Sequence, residues 1–484
     1  MNNITNKAKI AIVGGGVAGA SAALYFGQLG LDVTLFEKEP SLVTGPPFCH
    51  LHAGGNLYRE ISDKQCVTLL KQSIDFLRFY PYIVDYRPTV IVLPTTDKST
   101  PDALLPRLSL LTREYEDLIA QDKANEVLGE PENYYKSYTK EQIVALKSKE
   151  IVPNPSNCDE WMIPVAKNID LEKVQFPLIM VQEYGLNLFR LAAGTALSID
   201  SLEHVVLHTN TVVHNIQKEC HSEGWVVSFV KEDKSHQESF DYLINAAGFR
   251  TGKIDDMIGA PCQGMVEFKA AYVSQWDDHN DIKFPEIIFH GERGTPQGMG
   301  QFTPYPHGYF QLHGMTKEIT LYEDGLVSNT AVSCQPKLGQ DFIDKIEKSW
   351  TKEETEKRTN AAIKHLSQFI PSFSTAHVGS KPLFGAQQIP GDDPTLRVAE
   401  VSFPKERYAR CEIVKVSSVL DMIDAIARDL VALEYLDASL VGMRVFTQPL
   451  HLDKATLTKR AESIALTRSY PPEMANRTVP KGSK

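Results

Sequence analysis

The feature that most constrains this 484-residue chain is a glycine-rich turn between two short apolar runs near its start. We predict a buried strand at Lys9–Val13 (KIAIV), an alanine-rich helix at 17–29 and a second strand at 32–37 (DVTLFE). A strand, a helix and a strand joined by tight loops form a right-handed βαβ unit of a parallel sheet. The start of the chain therefore predicts an α/β fold.

The turn itself has the spacing GxGxxG and consists of Gly14, Gly15, Gly16, Val17, Ala18 and Gly19. Gly14 permits the tight turn, Gly16 lets the backbone approach a diphosphate, and Gly19 lets the helix pack closely on the strand. The helix then presents free N–H groups, including those of Val17 and Ala18, and the positive end of its dipole to the phosphates. The pattern predicts a dinucleotide site, with an ordinary glycine-rich turn as the simpler alternative.

Two other segments refine this prediction. Glu37 ends the second strand, next to Lys38, and its carboxylate can accept hydrogen bonds from ribose hydroxyls, whereas it disfavours the 2′-phosphate of NADP. Residues 240–252 (FDYLINAAGFRTG) predict a strand that ends in small residues, including Ala247 and Gly248, where a second stretch of backbone can approach the dinucleotide. This segment, and the place of the motif at the start of a long chain, favour FAD over NAD.

These segments resemble the D-amino-acid-oxidase-like family of FAD-dependent oxidoreductases. Residues 13–40 (VGGGVAGASAALYFGQLGLDVTLFEKEP) match its N-terminal fingerprint, and 243–249 (LINAAGF) match its second flavin-binding strand. Residues 208–216 (HTNTVVHNI) resemble the strand whose valine backbone contacts adenine, which would be Val213 here. Residues 50–62 (HLHAGGNLYREIS) resemble the loop that touches the flavin ring. The resemblance covers the FAD domain well and the substrate half only in layout.

The resemblance implies oxidation of a C–H bond next to an amine or a hydroxyl of a small, carboxylate-bearing substrate, by hydride transfer to flavin N5. Oxygen or a quinone would be the electron acceptor. It also implies that the helix beginning at Ser417 and Ser418 points its N-terminus, with Lys415 nearby, at the flavin N1/C2=O edge. One departure is that Gln387 and Gln388 stand where the family has an Arg-Pro pair. The family's substrate class therefore does not carry over directly.

Histidines in the loop expected near the flavin ring are candidates for the chemistry. His50 or His52 could act as the base that removes a proton from an alcohol or ammonium group. Either of them, or Cys49, is also a candidate for covalent flavin attachment, and the structural alternative is a loop histidine bonded to backbone.

Further candidates lie on a predicted strand and in a loop of the second half. In residues 308–314 (GYFQLHG), Tyr309, Gln311 and His313 alternate on one face, which is either a pocket wall or a solvated face. Arg293, in the loop HGERGTPQG, is a candidate carboxylate clamp, because a guanidinium suits bidentate capture, or else a surface arginine.

The length of the chain indicates more than one domain. We predict a Rossmann-like FAD-binding domain with a central parallel sheet, and a mainly antiparallel β-sheet substrate or cap domain with a helical insertion. The FAD-binding domain is expected to be discontinuous and to comprise residues 1–94, 175–264 and 376–450. The substrate domain would comprise 95–174 and 265–375, and residues 451–484 would form a basic, solvated tail.

The composition excludes several classes of protein. A net charge of −11 without a basic cluster in the body argues against nucleic acid as a partner. The seven cysteines are scattered and never spaced as CxxC, which favours reduced thiols in a cytoplasmic protein over a disulfide framework or a metal site. No apolar run is long enough for a transmembrane segment, and the polar start leads straight into a strand, without the pattern of a signal peptide.

Other functions are weighed against oxidation of a small substrate. The main alternative is an FAD-binding accessory protein that acts on, or docks to, a partner protein or a large substrate through the helical insertion and the basic tail. A nicotinamide-dependent dehydrogenase is disfavoured because no second nucleotide motif is present. An FAD monooxygenase would need a separate NADPH site, which the sequence does not show.

Overall fold

The predicted βαβ unit forms at the start of the chain in this computed structural model, which describes residues 8–55, 61–219, 223–396, 399–443 and 452–479. It consists of β1 (Lys9–Val13), α1 (Val17–Gln28) and β2 (Asp32–Phe36). β1 and β2 pair in parallel, and α1 is buried along most of its length because its alanines and glycines allow close packing.

A six-stranded sheet grows from this unit in the order β19-β20-β12-β1-β2-β8. Its other strands are β8 (Val205–His208), β12 (Tyr242–Asn245), β19 (Val401–Lys405) and β20 (Tyr408–Cys411). The five strands from β20 to β8 run parallel, and β19 is an antiparallel edge strand. This is the expected Rossmann-like sheet.

Both faces of the six-stranded sheet are covered. On one face, α1 packs with α6 (Leu188–Asp200), α10 (Val419–Ala432) and α11 (Lys454–Thr467). On the other face lie α7 (Thr251–Ile258) and a three-stranded antiparallel sheet of β9 (Thr211–Lys218), β10 (Trp225–Lys231) and β11 (Lys234–Phe240). Burial on both sides explains why the central strands β1 and β12 are nearly continuous apolar runs.

The second large sheet has nine strands in the order β17-β13-β16-β15-β14-β4-β6-β5, with β18 paired to β13. The strands are β4 (Thr89–Val92), β5 (Tyr135–Tyr138), β6 (Leu178–Val181), β13 (Gly264–Gln275), β14 (Glu286–Phe289), β15 (Gly300–Pro304), β16 (Tyr309–Gly314), β17 (Leu326–Ser328) and β18 (His377–Pro390). Their pairing is antiparallel except between β4 and β14. The fold class expected from the sequence is confirmed.

The remaining elements surround the two sheets. They are β3 (Val84–Asp85) and β7 (Gly185–Leu186), which pair with each other, and the helices α2 (Asp63–Phe79), α3 (Leu105–Gln121), α4 (Lys140–Lys147), α5 (Cys158–Asn168), α8 (Gln340–Glu347) and α9 (Lys352–Leu366). No helix within the described ranges is long and apolar enough to cross a membrane.

The structure differs from the predicted domain boundaries at three strands. β4, β6 and β18 belong to the nine-stranded sheet, although the boundaries at 94, 175 and 376 assign them to the FAD-binding domain. The apolar runs TVIV and LIMV are fully buried, and such a run does not reveal which of two buried sheets it joins.

The prediction of a solvated tail from residue 451 is wrong for the described residues 452–479. α11 packs on α6 and buries Leu457, Ala461 and Ile464, while its basic side chains remain on the other face. The spacing of these apolar residues by three and four positions is that of an amphipathic helix. Positive charge along the segment concealed this pattern.

Candidate active site

A cavity of about 1320 Å³ lies between the six-stranded and the nine-stranded sheets. The first wall contains the start of α1, the segment 45–50, Ala246, Gly248 and the stretch before α10. The second wall contains alternate side chains of β13 and β16, because every second residue of a strand points to the same face. Gln301 of β15, residues 386–389 of β18 and the loop after β14 complete it.

The glycine turn of the first wall is shaped by contacts that exclude side chains. Gly14 has a φ of +104°, and a Cβ there would lie 2.4 Å from the carbonyl oxygen of Ala246. A Cβ on Gly19 would lie 1.9 Å from the carbonyl oxygen of Gly14. Both glycines allow the close approach of strand and helix, and neither of them lines the cavity.

Gly16 differs from these two glycines, since a Cβ built on it meets nothing within 4 Å and the residue lines the cavity. It is the N-cap of α1 and makes no side-chain cap bond, and Val17 and Ala18 behind it also face the cavity. The first N–H groups of a helix lack intrahelical partners and attract anions. This open cradle fits the diphosphate of FAD, so Gly16, Val17 and Ala18 would hold it.

Glu37 supports the turn from behind. Its buried carboxylate accepts hydrogen bonds from the backbone N–H groups of Gly15 (2.6 Å) and Glu39 (2.8 Å). Burial raises the pKa of Glu37, against the effect of these two hydrogen bonds. Lys38 is partly exposed and forms an ion pair with Glu39. Neither Glu37 nor Lys38 lines the cavity, so their contact with a ribose remains a prediction.

The other predicted cofactor residues are placed at different depths. Gly248 lines the cavity with a φ of +59°, whereas Ala247 and Val213 pack beside the core beneath the sheet. Ser417 and Ser418 belong to a short 3₁₀ turn before α10, and Ser418 Oγ donates to Gln72 Oε1 at 3.2 Å rather than capping the helix. The approach of α10 to the cavity is made by the residues just before these serines.

His50 lies at the junction of the two walls and is the best organised of the predicted catalytic residues. Its Nδ1 is 2.6 Å from Glu286 Oε1, and Arg87 donates to Glu286 Oε2 at 2.5 Å. The parallel pairing of β4 and β14, with Thr89 opposite Glu286, brings Arg87 beside the carboxylate. The Nε2 atom of His50 is buried and has no hydrogen-bond partner among the described residues, and the ring lines the cavity.

The charges of this buried group are strongly coupled. Burial by itself would lower the pKa of His50, but the charges of Glu286 and Cys49 and their hydrogen bonds together outweigh it and raise the pKa to about 10. Burial would raise the pKa of Glu286, yet the charges of His50 and Arg87 lower it to about 2. His50 and Glu286 therefore form an ion pair at neutral pH.

Cys49 and His52 are the neighbours of His50 along the chain. Cys49 is a buried free thiol 3.4 Å from His50 Nδ1, and the rings of His50 and His52 meet edge to face at 4.5 Å. Cys49, His50 and Glu286 are close enough together to share a metal ion. Arg87 and the amide of Gln301, 2.7 Å from Glu286, already satisfy this carboxylate, and a guanidinium beside it opposes a cation.

The strand β16 divides its side chains as the alternation predicts. Phe310 and Leu312 are buried in the core of the nine-stranded sheet, while Gln311 and His313 line the cavity. Tyr309 lies at the start of the strand, packs against the other core and does not reach the cavity. Burial lowers the pKa of His313 to about 4, so this histidine is neutral at pH 7.

Arg293 lines the cavity beside two charged residues of β13. Its guanidinium is paired with Glu267, and Lys269 Nζ is 3.3 Å from the same carboxylate. Burial would raise the pKa of Glu267, and the two cations together lower it. This group of three side chains holds two positive charges and one negative charge, so the group itself carries a net positive charge.

The two glutamines that replace the family's Arg-Pro pair join the two walls. Gln387 donates to the carbonyl oxygen of Val414 at 2.9 Å, and Gln388 to that of Cys411 at 2.7 Å. They hold β18 of the nine-stranded sheet against the end of β20 and the stretch before α10, and both line the cavity.

Several residues of the site escaped the sequence analysis, above all Glu286, Arg87 and Lys269. Glu286 is the first residue of the buried strand β14, and Arg87 stands two residues before the buried strand β4. A charged residue without a partner would be costly at either position. That cost is a signal that such residues pair, although the sequence does not reveal the pairing of their strands.

Comparisons with known proteins agree with this fold. The family model described as FAD dependent oxidoreductase matches residues 9–140. No curated protein matches the sequence. Among solved structures, glycine oxidase from Geobacillus kaustophilus shares 13% identity, with a TM-score of 0.53 over 91% of this chain and 100% of that one. L-alpha-glycerophosphate oxidase from Mycoplasma pneumoniae, solved with FAD bound, shares 17% identity, with a TM-score of 0.55 over 89% and 96%.

The fold and the glycine turn define a dinucleotide-binding α/β protein of the flavoenzyme type. Within that class, the family match confirms the resemblance expected from the sequence, and the chain is an FAD-dependent oxidoreductase with FAD as its cofactor. The two solved structures are similar to this chain in fold, at identities too low to transfer a substrate.

Proposed function

We propose that this oxidoreductase oxidises a C–H bond next to a hydroxyl or an amine of a small carboxylate, and that His50 removes the proton from the heteroatom. The observation that carries the proposal is the placement of His50, held through Nδ1 by Glu286 while its unpartnered Nε2 belongs to a ring on the cavity wall. A base oriented by a carboxylate through its other nitrogen is suited to general-base catalysis.

Bound FAD supplies the hydride acceptor, and the side chains of the chain supply orientation and proton transfer. Deprotonation of His50 leaves a lone pair on Nε2, which can accept the proton of an alcohol or ammonium group. Glu286 then stabilises the imidazolium that forms, because its carboxylate stays ionised between Arg87 and His50. His52, whose ring lies 4.5 Å from that of His50, is a second candidate for this role.

The charge of the second wall supports an anionic substrate. Arg293 and Lys269 share one carboxylate, so the net positive charge favours a single carboxylate group over a neutral substrate. Glycine oxidase and L-alpha-glycerophosphate oxidase, which are similar in fold, name two substrate classes to test first. Oxygen or a quinone as acceptor, and a cytoplasmic location, remain predictions.

The test is anaerobic mixing of the yellow protein with amino acids, 2-hydroxy acids and L-glycerol 3-phosphate, while the flavin absorption band is recorded. We expect bleaching with a carboxylate, and slower bleaching by about 10²–10⁴-fold in His50→Gln at unchanged FAD content. His236→Gln, an exposed histidine outside the cavity, is the matched control.

Failure of every small anion to bleach the flavin would contradict the proposal and favour the accessory flavoprotein. The cavity offers one observation for that alternative, since Lys98 and Glu292 at its lining have side chains 94% and 73% exposed. An entrance bordered by such residues can also receive a group carried on a larger partner.

A further inference from the structure

The C-terminal segment, residues 452–479, contacts two parts of the chain that support the candidate active site, namely the loop 41–43 and Asp85. We propose that it is a positioning clamp, in which Arg468 holds the loop 41–43 against the glycine turn and the backbone of 478–479 holds Asp85. Through Asp85 the segment would also position Arg87, Glu286 and His50. The first half of the proposal rests on FAD binding alone, and the second half rests on the proposed role of His50.

Arg468 follows α11, and its side chain points to the loop that connects β2 to the rest of the first wall. Its guanidinium donates to Ser41 Oγ at 2.9 Å, to the carbonyl oxygen of Val43 at 3.0 Å and to that of Leu42. A rigid fork that contacts three consecutive residues fixes their backbone in one conformation.

The loop needs this support because Val43 is strained. Val43 has a φ of 60°, in the left-handed region that β-branched residues strongly disfavour. In this conformation its N–H donates to the carbonyl oxygen of Gly15 at 2.9 Å, and its side chain lines the cavity. The hydrogen bonds from Arg468 therefore stabilise the conformation in which the loop contacts the glycine turn.

The end of the segment contacts Asp85, which lies beside Arg87 in the group that contains Glu286 and His50. The carboxylate of Asp85 accepts from the N–H groups of Thr478 (3.0 Å) and Val479 (2.7 Å), and Arg87 Nε lies 3.6 Å from the same carboxylate. Tyr86 donates its N–H to the carbonyl oxygen of Val479 at 3.0 Å, so the two stretches pair along their backbones. Asp85 is thus a positioning residue between the clamp and Arg87.

The first test measures the FAD dissociation constant of the full-length apoprotein by quenching of flavin fluorescence. Arg468→Ala should weaken FAD binding about tenfold or more, and Arg468→Lys by less, because lysine keeps the charge but not the fork. Arg460→Ala, an exposed arginine of the same helix, is the control and should leave binding within about twofold.

A double variant separates positioning from general loss of structure. Val43→Gly removes the strain, so the effect of Arg468→Ala should fall to less than about threefold in that background. An equal loss with and without Val43→Gly, or a loss in Arg468→Ala no larger than in Arg460→Ala, would overturn the clamp.

The second test follows the titration of His50 by NMR in histidine-labelled full-length protein, with His50→Gln to assign the signal. The titratable and charged groups around His50 are Cys49, His52, Glu183, Glu286, His313 and Arg87. Asp85→Asn removes the negative charge that lies beside Arg87. Arg87 should then interact more strongly with Glu286, which stabilises the His50 imidazolium less. The pKa of His50 should fall by about one unit.

Asp32→Asn is the matched control, because Asp32 lies 3.3 Å from His204 on the surface and its substitution should leave the titration of His50 unchanged. An unchanged His50 titration in Asp85→Asn would overturn the second half of the clamp. This experiment needs no substrate, so its outcome is separate from that of the flavin bleaching experiment.

Discussion

The two walls of the cavity are built on different principles. The first wall, where FAD is expected to bind, presents the backbone of Gly16, Val17 and Ala18. Glycine is required at the neighbouring positions 14 and 19, because contacts of 2.4 Å or less leave no room for a Cβ. The second wall presents charged side chains that depend on one another, namely Glu267, Lys269 and Arg293. At the junction of the walls, His50 depends in the same way on the buried Glu286. Adding a side-chain atom is therefore expected to disrupt the first wall, whereas the second wall should be disrupted by removing a charge.

The largest effect is expected from Gly16→Asp. The space beyond Gly16 is open, so the protein should fold, but a carboxylate would stand where the diphosphate binds and would repel it. We expect loss of the yellow colour with a melting temperature close to that of the parent apoprotein. Purification with stoichiometric flavin would contradict the placement of the diphosphate.

Gly14→Ala provides the contrast within the same turn. Its Cβ would meet the backbone of Ala246, and its φ of +104° is unsuited to alanine, so the loss should appear in folding stability as well as in flavin content. Thermal unfolding of the two variants side by side distinguishes a blocked site from a broken turn.

At the junction of the walls, Glu286→Gln should lower the free energy of unfolding by about 3 kcal/mol or more, since it leaves Arg87 and His50 buried without a negative partner. Urea unfolding at pH 7 measures this, and the exposed Glu203→Gln is the control. A loss below about 1 kcal/mol would mean that the buried charges are not coupled as described.

The ion pair also predicts how stability depends on pH. The pKa of His50 is about 10 in the folded protein against an ordinary 6.5, so its contribution is complete below 6.5 and is lost as the pH rises through 10. The pKa of Glu286 is about 2 against 4.5, so its contribution is lost as the pH falls through 2. Both are complete between pH 4.5 and 6.5.

Unfolding in urea at several values between pH 6.5 and 10 tests the alkaline side. The wild type should lose up to about 1.4 kcal/mol per pH unit more than His50→Gln. Parallel plots of unfolding free energy against pH for the two proteins would show that folding does not raise the pKa of His50. The plot for His236→Gln should follow that of the wild type.

The smallest effect is expected on the binding of the anionic substrate. Arg293→Gln leaves Lys269 balanced by Glu267, so the net positive charge disappears, and KM for the carboxylate substrate should rise about tenfold with kcat little changed. Arg113→Gln, an exposed arginine of α3, is the control. An unaltered KM would assign substrate binding to other residues of the cavity.

The difference between the walls also explains what the sequence could predict. The turn around Gly16 is encoded within six consecutive positions, so its fold, its cofactor and the family resemblance were accessible from the sequence. The group of His50, Arg87 and Glu286 is assembled by pairing β4 with β14 across almost two hundred residues. No local pattern specifies that register.

The C-terminal segment was misjudged for a related reason. Its charge suggested a solvated tail, but the free energy of packing depends on the few apolar residues that face α6, such as Leu457 and Ile464. The contacts of Arg468 with residues 41–43 are tertiary contacts that composition does not reveal.

The most direct test of the central claim is the rate of flavin reduction measured anaerobically from pH 6 to pH 10.5 with the substrate identified by bleaching. If His50 is the base, the rate should rise about tenfold per pH unit and level off near the pKa of about 10, while the rate in His50→Gln should be low and independent of pH. A rate that is the same at every pH in both proteins would contradict the account.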